Sequence, residues 1–418
     1  MFFLRFFLIL PQIYVAMVNL PAEFIAETRR LMGEERFNRY LEAFNEDAPT
    51  SIRLNPRKGG SHPLTSSPSH LQQVPWCEEG FYLSERPQFT FDPLLHAGCY
   101  YVQEASSMFV THILRSLSHL YTFSPNVALD MCAAPGGKST AMRNVLPDDC
   151  VLVSNEPMGN RAQILLENIT KWGAPNCIVT NNYPRDFKKA KLKFDVILCD
   201  VPCSGEGMFR KDPATISEWS MQNVEKCWQL QREIVSDAWE CLNPGGLFIY
   251  STCTFNTKEN EENIRWILEN FDAEVLDIPI DPSWNITGSL LEGFTAPVYR
   301  FIPSITRGEG LFACVLRKAG NLSPRAQKIT GLKQLTADFP QGDYPTVDLD
   351  YQEALKYLRG EALVLPADTP RGIVNICYKE QTLGPAKNIG NRANNLYPKA
   401  WRIKTTHLPN EEIKIITI

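Results

Sequence analysis

The 418-residue sequence has only 6 histidines, and its 12 cysteines include no Cys-x-x-Cys pair. Zinc centres and thioredoxin-type redox sites depend on such spacings, so neither organises this chain and no metal site is expected. A surplus of positive charge is also missing. The formal net charge is -5 at pH 7, which excludes histone-like wrapping of nucleic acid and leaves only a local basic face for any RNA contact. No internal repeat and no low-complexity tract occur, and no segment is apolar enough to cross a membrane. The opening "MFFLRFFLILPQIYVA" is broken by Arg5 and Pro11. Its charge lies inside the apolar stretch and not ahead of it, which makes a poor signal peptide. Residues 1–16 are therefore expected to be an extra segment without structural role, with translation starting at Met17. A soluble, cytoplasmic, monomeric protein without a membrane partner is expected.

What is present is ordinary for a globular enzyme: 44% hydrophobic residues, 21% charged, and length for two or three domains. Residues 17–95 read as a small α+β region that begins with a helix carrying Phe24, Thr28, Leu31 and Met32 on one face. A loop rich in Gly, Ser and Pro runs from Lys58 to Pro75. From 96 to 319 continuous apolar strands alternate with amphipathic helices, the signature of an α/β domain with a sheet covered on both faces. One such helix carries Ala162, Leu165, Leu166, Ile169 and Trp172 as a stripe. A connector spans 320–350, and 351–418 reads as a second small α+β unit. Between Arg371 and Pro409 seven Lys and Arg stand against one acid, Glu380, with Tyr378, Tyr397 and Trp401 among them. That stretch is either a solvated surface or an RNA-facing module.

Chemistry concentrates at three turns. "ALDMCAAPGGKST" joins a strand to a helix through Gly136 and Gly137, which let a ligand approach the backbone. The phosphate-loop spacing requires glycine at the position of Cys132, so a nucleoside triphosphate is excluded. Glu156 ends the next strand, about 20 residues on, where a carboxylate meets a ribose diol. Asn181, Asn182 and Tyr183, after the third strand, are candidates to flank an adenine ring. "DVILCDVPCSGEGMF" delivers Asp200 and Cys203 beyond one strand, and "GGLFIYSTCTF" delivers Cys253 beyond another. Neighbouring strands lie about 5 Å apart, so both thiols can approach one flipped-out base. Which of them attacks is left open by spacing alone. Cys132 and Cys199 are expected beside the same cleft. Cys77, Cys150, Cys177, Cys227, Cys241, Cys314 and Cys377 are expected as small core residues. Arg210 and Lys211 are candidates for RNA phosphate contacts.

Taken in order, "DMCAAPGGK", "DVPCSGEGMFRKDP" and "YSTCTFNTKENEEN" resemble the motifs of the Sun-type RNA cytosine-5 methyltransferase family. "YVQEASSM" and "YLRGEAL … NIGNRANNLYPKAW" are most similar to its small-subunit rRNA methyltransferase F branch. The resemblance covers nearly everything from Met17 onward. It implies a Rossmann-like class I methyltransferase domain with a mixed seven-stranded sheet, an N-terminal RNA-binding region and a C-terminal PUA-like RNA-binding domain. Implied too are S-adenosyl-L-methionine as cofactor and RNA, above all small-subunit rRNA or the ribosomal small subunit, as partner. Carried over by residue, the cofactor would lie on Cys132, Ala133, Ala134, Pro135, Gly136, Gly137 and Lys138, with Glu156 at the ribose. Asp200 would stand on the methyl-donor side, and Asn182 or Tyr183 at the adenine. The resemblance assigns nucleophilic attack to Cys253 and product release to Cys203, with Asp200 stabilising the adduct. A tRNA substrate, or a non-catalytic RNA-binding assembly factor, is the competing expectation; a mere binder has no need of both Cys203 and Cys253.

Overall fold

The computed structural model describes residues 19–58, 71–121, 123–323, 325–405 and 407–416. Residues 1–16, Met17 and most of the Lys58–Pro75 loop lie outside the described residues.

Helices α1 (Ala22–Met32) and α2 (Glu34–Glu42) open the chain and are parted by Gly33 at φ +74°. A positive φ suits glycine and ends one helix while starting the other. Four antiparallel strands follow, β1 (Ser51–Leu54), β2 (Gln72–Gln73), β3 (Gly80–Tyr82) and β4 (Tyr100–Val102), in the order β2-β3-β1-β4. Between the last two lies α3 (Pro93–His96), whose first turn is capped by the Asp92 carboxylate accepting from the Leu94 N–H. Helix α4 (Phe109–Tyr121) leads into the large central sheet.

That sheet has nine strands: β5 (Val127–Asp130), β6 (Val151–Asn155), β7 (Cys177–Thr180), β8 (Phe194–Asp200), β9 (Leu242–Thr252), β10 (Ala273–Val275), β11 (Tyr299–Phe301), β12 (Leu311–Lys318) and β13 (Gln334–Leu335). Its order is β10-β12-β9-β8-β5-β6-β7-β13, with β11 paired to β12. Strands β5 to β9 are mutually parallel, while β12 runs antiparallel to β9 and β10 antiparallel to β12. The seven expected strands are β5 to β10 and β12. Short β11 and β13 extend them because Tyr299–Phe301 and Gln334–Leu335 offer antiparallel edges to β12 and β7.

Apolar strand runs reflect burial on two faces. Along β8, Val196 and Leu198 join the core beneath α4 and α5 (Gly137–Val145), whereas Ile197 and Cys199 join the core beneath α7 (Pro184–Lys189), α9 (Met221–Glu240) and α10 (Glu261–Asn270). Helix α6 (Gly159–Trp172) buries the expected stripe of Ala162, Leu165, Leu166, Ile169 and Trp172.

The remaining sheet comprises β14 (Thr346–Asp348), β15 (Gly372–Tyr378), β16 (Gln381–Asn388) and β17 (Ala393–Asn395), with α11 (Tyr351–Arg359) packed on it. The stretch 320–350, expected as a connector, thus supplies β13 to the central sheet and β14 to the last one. Tyr378 and Tyr397, read as interspersed in a basic surface, are core residues. Of the basic residues there, Lys379 pairs with Glu412 and Arg402 donates to the Tyr397 carbonyl. Arg371, Lys387, Arg392, Lys399 and Lys404 remain exposed.

Candidate active site

Parallel strands end on one edge, and the chemistry-bearing residues meet there. Beyond β8 and β9, the Cys203 and Cys253 sulfurs lie 3.2 Å apart, and the Cys253 N–H donates to the Cys203 sulfur at 3.4 Å. Neither thiol is in a disulfide, and both are half-buried. The hydrogen bond to Cys253, then burial, push the Cys203 thiol well up from its ordinary range. At 3.2 Å the two sulfurs share one hydrogen bond, and either can donate it.

Asp200, at the end of β8, accepts from Ser251 Oγ at 2.7 Å through Oδ1 and from Lys138 Nζ at 2.8 Å through Oδ2. Its side chain retains 31% exposure, so it is held in place yet reachable. Burial works against the Lys138 charge, but the Asp200 carboxylate and the Cys253 sulfur outweigh it and raise its pKa. Lys138 is thus neither a solvent-facing residue nor a free cation. It ties the 132–138 loop to Asp200 and the cysteine pair.

The loop is fixed from behind. Gly136 stands at φ +113° as the N-cap of α5, and Tyr101 Oη and Asn168 Nδ2 both donate to the Pro135 carbonyl. Arg53, fully buried on β1, donates to Thr140 Oγ1 at 2.5 Å and to the Gly137 carbonyl at 3.2 Å. Asp130 closes β5 beneath the loop. Its Oδ2 accepts from Ser139 Oγ at 2.6 Å, while among the described residues no side-chain or backbone donor meets hydrogen-bond geometry at the buried Oδ1. Ala133 is buried, and Ala134 and Cys132 are half-buried. Glu156, 2% exposed at the end of β6, accepts from the Met158 N–H at 2.9 Å and faces Arg161 at 3.3 Å.

The adenine candidates divide. Asn182 donates to the Lys333 carbonyl and accepts the Lys333 N–H, both at 3.0 Å, so its amide is engaged beside β13. Asn181 donates to the Glu156 and Pro157 carbonyls. Tyr183 stands exposed at the start of α7 with the Arg185 guanidinium against its ring.

Three expectations need correction. Cys199 does not border the cleft: it points into the core under α9, since it alternates with Asp200 along β8. Arg210 is not open to a phosphate. Its side chain is 7% exposed and bonded to Glu309 at 2.7 Å, with a further bond to the Glu46 carbonyl, whereas Lys211 is exposed. Cys177 and Cys227 are half-buried, and of the two Cys177 still packs against the core. Asp130, Arg53, Glu206 and Glu259 were not singled out as site residues, although the run "ENEEN" marks Glu259 as an acid soon after the Cys253 strand.

The strand order, the loop after β5, the acid after β6 and the paired thiols define a Rossmann-like methyltransferase domain. Comparison with known proteins agrees. The family model for the 16S rRNA methyltransferase RsmB/F matches residues 120–317, that for the N-terminal domain of 16S rRNA methyltransferase RsmF residues 20–105, and that for the methyltransferase RsmF PUA domain residues 344–403. Ribosomal RNA small subunit methyltransferase F of Salmonella agona is 33% identical over 352 residues, covering 81% of this chain and 70% of the relative. Its counterpart from Erwinia tasmaniensis is 27% identical over 92% of this chain and 97% of its own. In Pectobacterium atrosepticum the match is 35% identical over 73% of this chain and spans 64% of that protein. A Pyrococcus horikoshii methyltransferase homologue of known structure superposes with a TM-score of 0.56 at 28% identity, over 72% of this chain and 100% of its own. NSun6 from the same organism, with a TM-score of 0.58 at 20% identity over 72% of this chain and 99% of that one, shares the fold. The chain belongs to the 16S rRNA methyltransferase RsmB/F family.

Proposed function

We propose that the protein is an S-adenosyl-L-methionine-dependent RNA (cytosine-5)-methyltransferase that modifies small-subunit rRNA in the cytoplasm through a transient bond between Cys253 and C6 of the base. The observation that carries this reading is the 3.2 Å approach of the Cys203 and Cys253 sulfurs beside the Lys138–Asp200 pair. The site suits the cofactor: among the described residues Asp130 keeps a buried oxygen without a hydrogen-bond partner, and Glu156 stands at a strand end where a diol would meet it. Residues 132–138 and Glu156 would hold it, with Tyr183 at the adenine end and Asn182 as a support of that end. Bound there, it supplies an electrophilic methyl group.

Cytosine C5 is a poor nucleophile until a thiolate adds to C6 and makes it enamine-like. Cys253, to which the family resemblance assigns the attack, acts as that thiolate with the Cys203 thiol 3.2 Å from it. Asp200, positioned by Lys138 and Ser251, would act in its carboxylic acid form at the N3 edge, lending N3 a proton while the adduct lasts and taking it back when the thiolate leaves. Once Cys253 is a thioether it no longer raises the Cys203 pKa. Cys203 then yields its proton to solvent, accepts the proton from C5, and Cys253 leaves as thiolate, so the site returns to its starting state. The exposed cations of the last sheet support an RNA partner.

Radiolabelled methyl transfer to small-subunit rRNA tests the reading. Cys253→Ala should abolish incorporation, and Cys203→Ala should accumulate an RNA adduct that survives denaturing electrophoresis. Turnover by the Cys253 variant would refute the mechanism, and bisulfite mapping identifies the base.

A further inference from the structure

We infer that Glu206 and Glu259 are positioning residues that cross-anchor the two cysteine loops and so set the approach of the Cys203 and Cys253 sulfurs. The inference deepens the functional reading above and rests on it for its kinetic consequence. Each acid belongs to one loop and grips the other. Glu206 follows Cys203, yet its Oε2 accepts the N–H groups of Phe255 at 2.6 Å and Asn256 at 3.0 Å, just beyond Cys253. Glu259 follows Cys253, yet its Oε2 accepts the N–H of Ser204 at 3.0 Å, the residue after Cys203. Asn256 Nδ2 bridges them, 3.0 Å from Glu206 Oε1 and 2.8 Å from Glu259 Oε1. Trp219 Nε1 at 3.0 Å and Gln231 Nε2 at 2.7 Å complete the two acceptor sets.

A backbone bond reinforces the crossing, from the Gly207 N–H to the Cys253 carbonyl at 2.7 Å. A Cβ at Gly207 would sit 2.8 Å from that same carbonyl oxygen, so the approach requires glycine. Both carboxylates are buried, and among the described residues neither has a lysine or arginine within ion-pair distance. Burying such groups without a cation is costly. Donors on every side lower that cost, although burial and the Glu206 charge still push the Glu259 carboxyl up to about 7, and an amide in place of either acid cannot match them: its NH₂ would face a donor. The network thus depends on the carboxylate and not merely on the shape of the side chain. A catalytic pair gains from this rigidity, because loosening it by 1 Å is enough to slow chemistry by up to about a hundredfold.

The test uses Glu206→Gln and Glu259→Gln in the full chain. Diamide, which takes two electrons and two protons from a thiol pair, is applied at a fixed dose, and the Cys203–Cys253 disulfide is quantified by peptide mass. Wild type should cross-link readily and each variant several-fold less. Methyl transfer should show kcat lowered at least about tenfold with KM for RNA and the affinity for S-adenosylhomocysteine unchanged. Asn256→Ala removes the bridge and keeps both acids; it should move in the same direction, and it decides the matter if a glutamine variant fails to fold. Wild-type cross-linking or wild-type kcat in folded variants would overturn the inference. Absence of methyl transfer by wild type would instead refute the functional reading, while the oxidation readout would still report on the anchoring.

Discussion

Asp130 shows how burial acts on a single group. Burial, little offset by the Ser139 hydrogen bond, raises its carboxyl to about 7. A carboxyl whose folded-state pKa is raised contributes stability that is fully present below its unfolded value, about 4, and lost as pH rises through about 7. Asp130→Asn removes that dependence. The melting temperature of wild type relative to this variant should therefore rise as pH falls from 8 to 5, and differential scanning calorimetry without ligand reads it. Residue by residue, the sequence was most informative where an unusual residue sits just past a strand: Cys203 and Cys253 lie side by side there, with Asp200 at the end of β8. Arg53 and Glu309 were hidden because their partners are distant in sequence. Arg210 misled for the same reason. "RK" after a glycine loop reads as exposed, and only the fold brings Glu309 to it.

At the scale of elements, α1 and α2 are braces for the catalytic loops. Phe24 packs its ring against Phe209 at 5.0 Å and Trp219 at 5.4 Å, and Tyr40 packs against Phe255 at 5.4 Å. Phe209 and Trp219 flank the Cys203 loop, and Phe255 follows Cys253. Phe24→Ala should cost about 3–5 kcal/mol, measured by denaturant titration, and should lower kcat beyond the loss of folded protein. The periodicity of α1 and α6 was legible because it needs only local spacing. Strand β13 was not, since two residues in a Pro- and Gly-rich stretch carry no alternation, yet it engages Asn182 through Lys333.

Over the whole molecule, the first and last sheets share one core. Ile52, Leu54, Leu94 and Tyr100 pack with Leu355, Tyr357, Val374 and Ile376 although the large domain separates them in sequence. Ending the chain at residue 343 should uncover that surface of the N-terminal region, giving increased dye binding and aggregation in light scattering. No helix among the described residues is long and apolar enough to cross a membrane. Composition and strand rhythm revealed the α/β centre, whereas the joining of the chain's two ends was invisible because neither end signals its partner.

Arg53 stacks 4.6 Å over Trp172 while it holds Gly137 and Thr140, and Asn55, just past the end of the same strand, donates to the Trp172 carbonyl. A lever clamped at both ends swings little: the flanking sheet is tied at several points to the loop after β5 and to α6. On the proposed reading, target selection by the outer regions should therefore work by shape matching against that template, with adjustment falling to the nucleic acid.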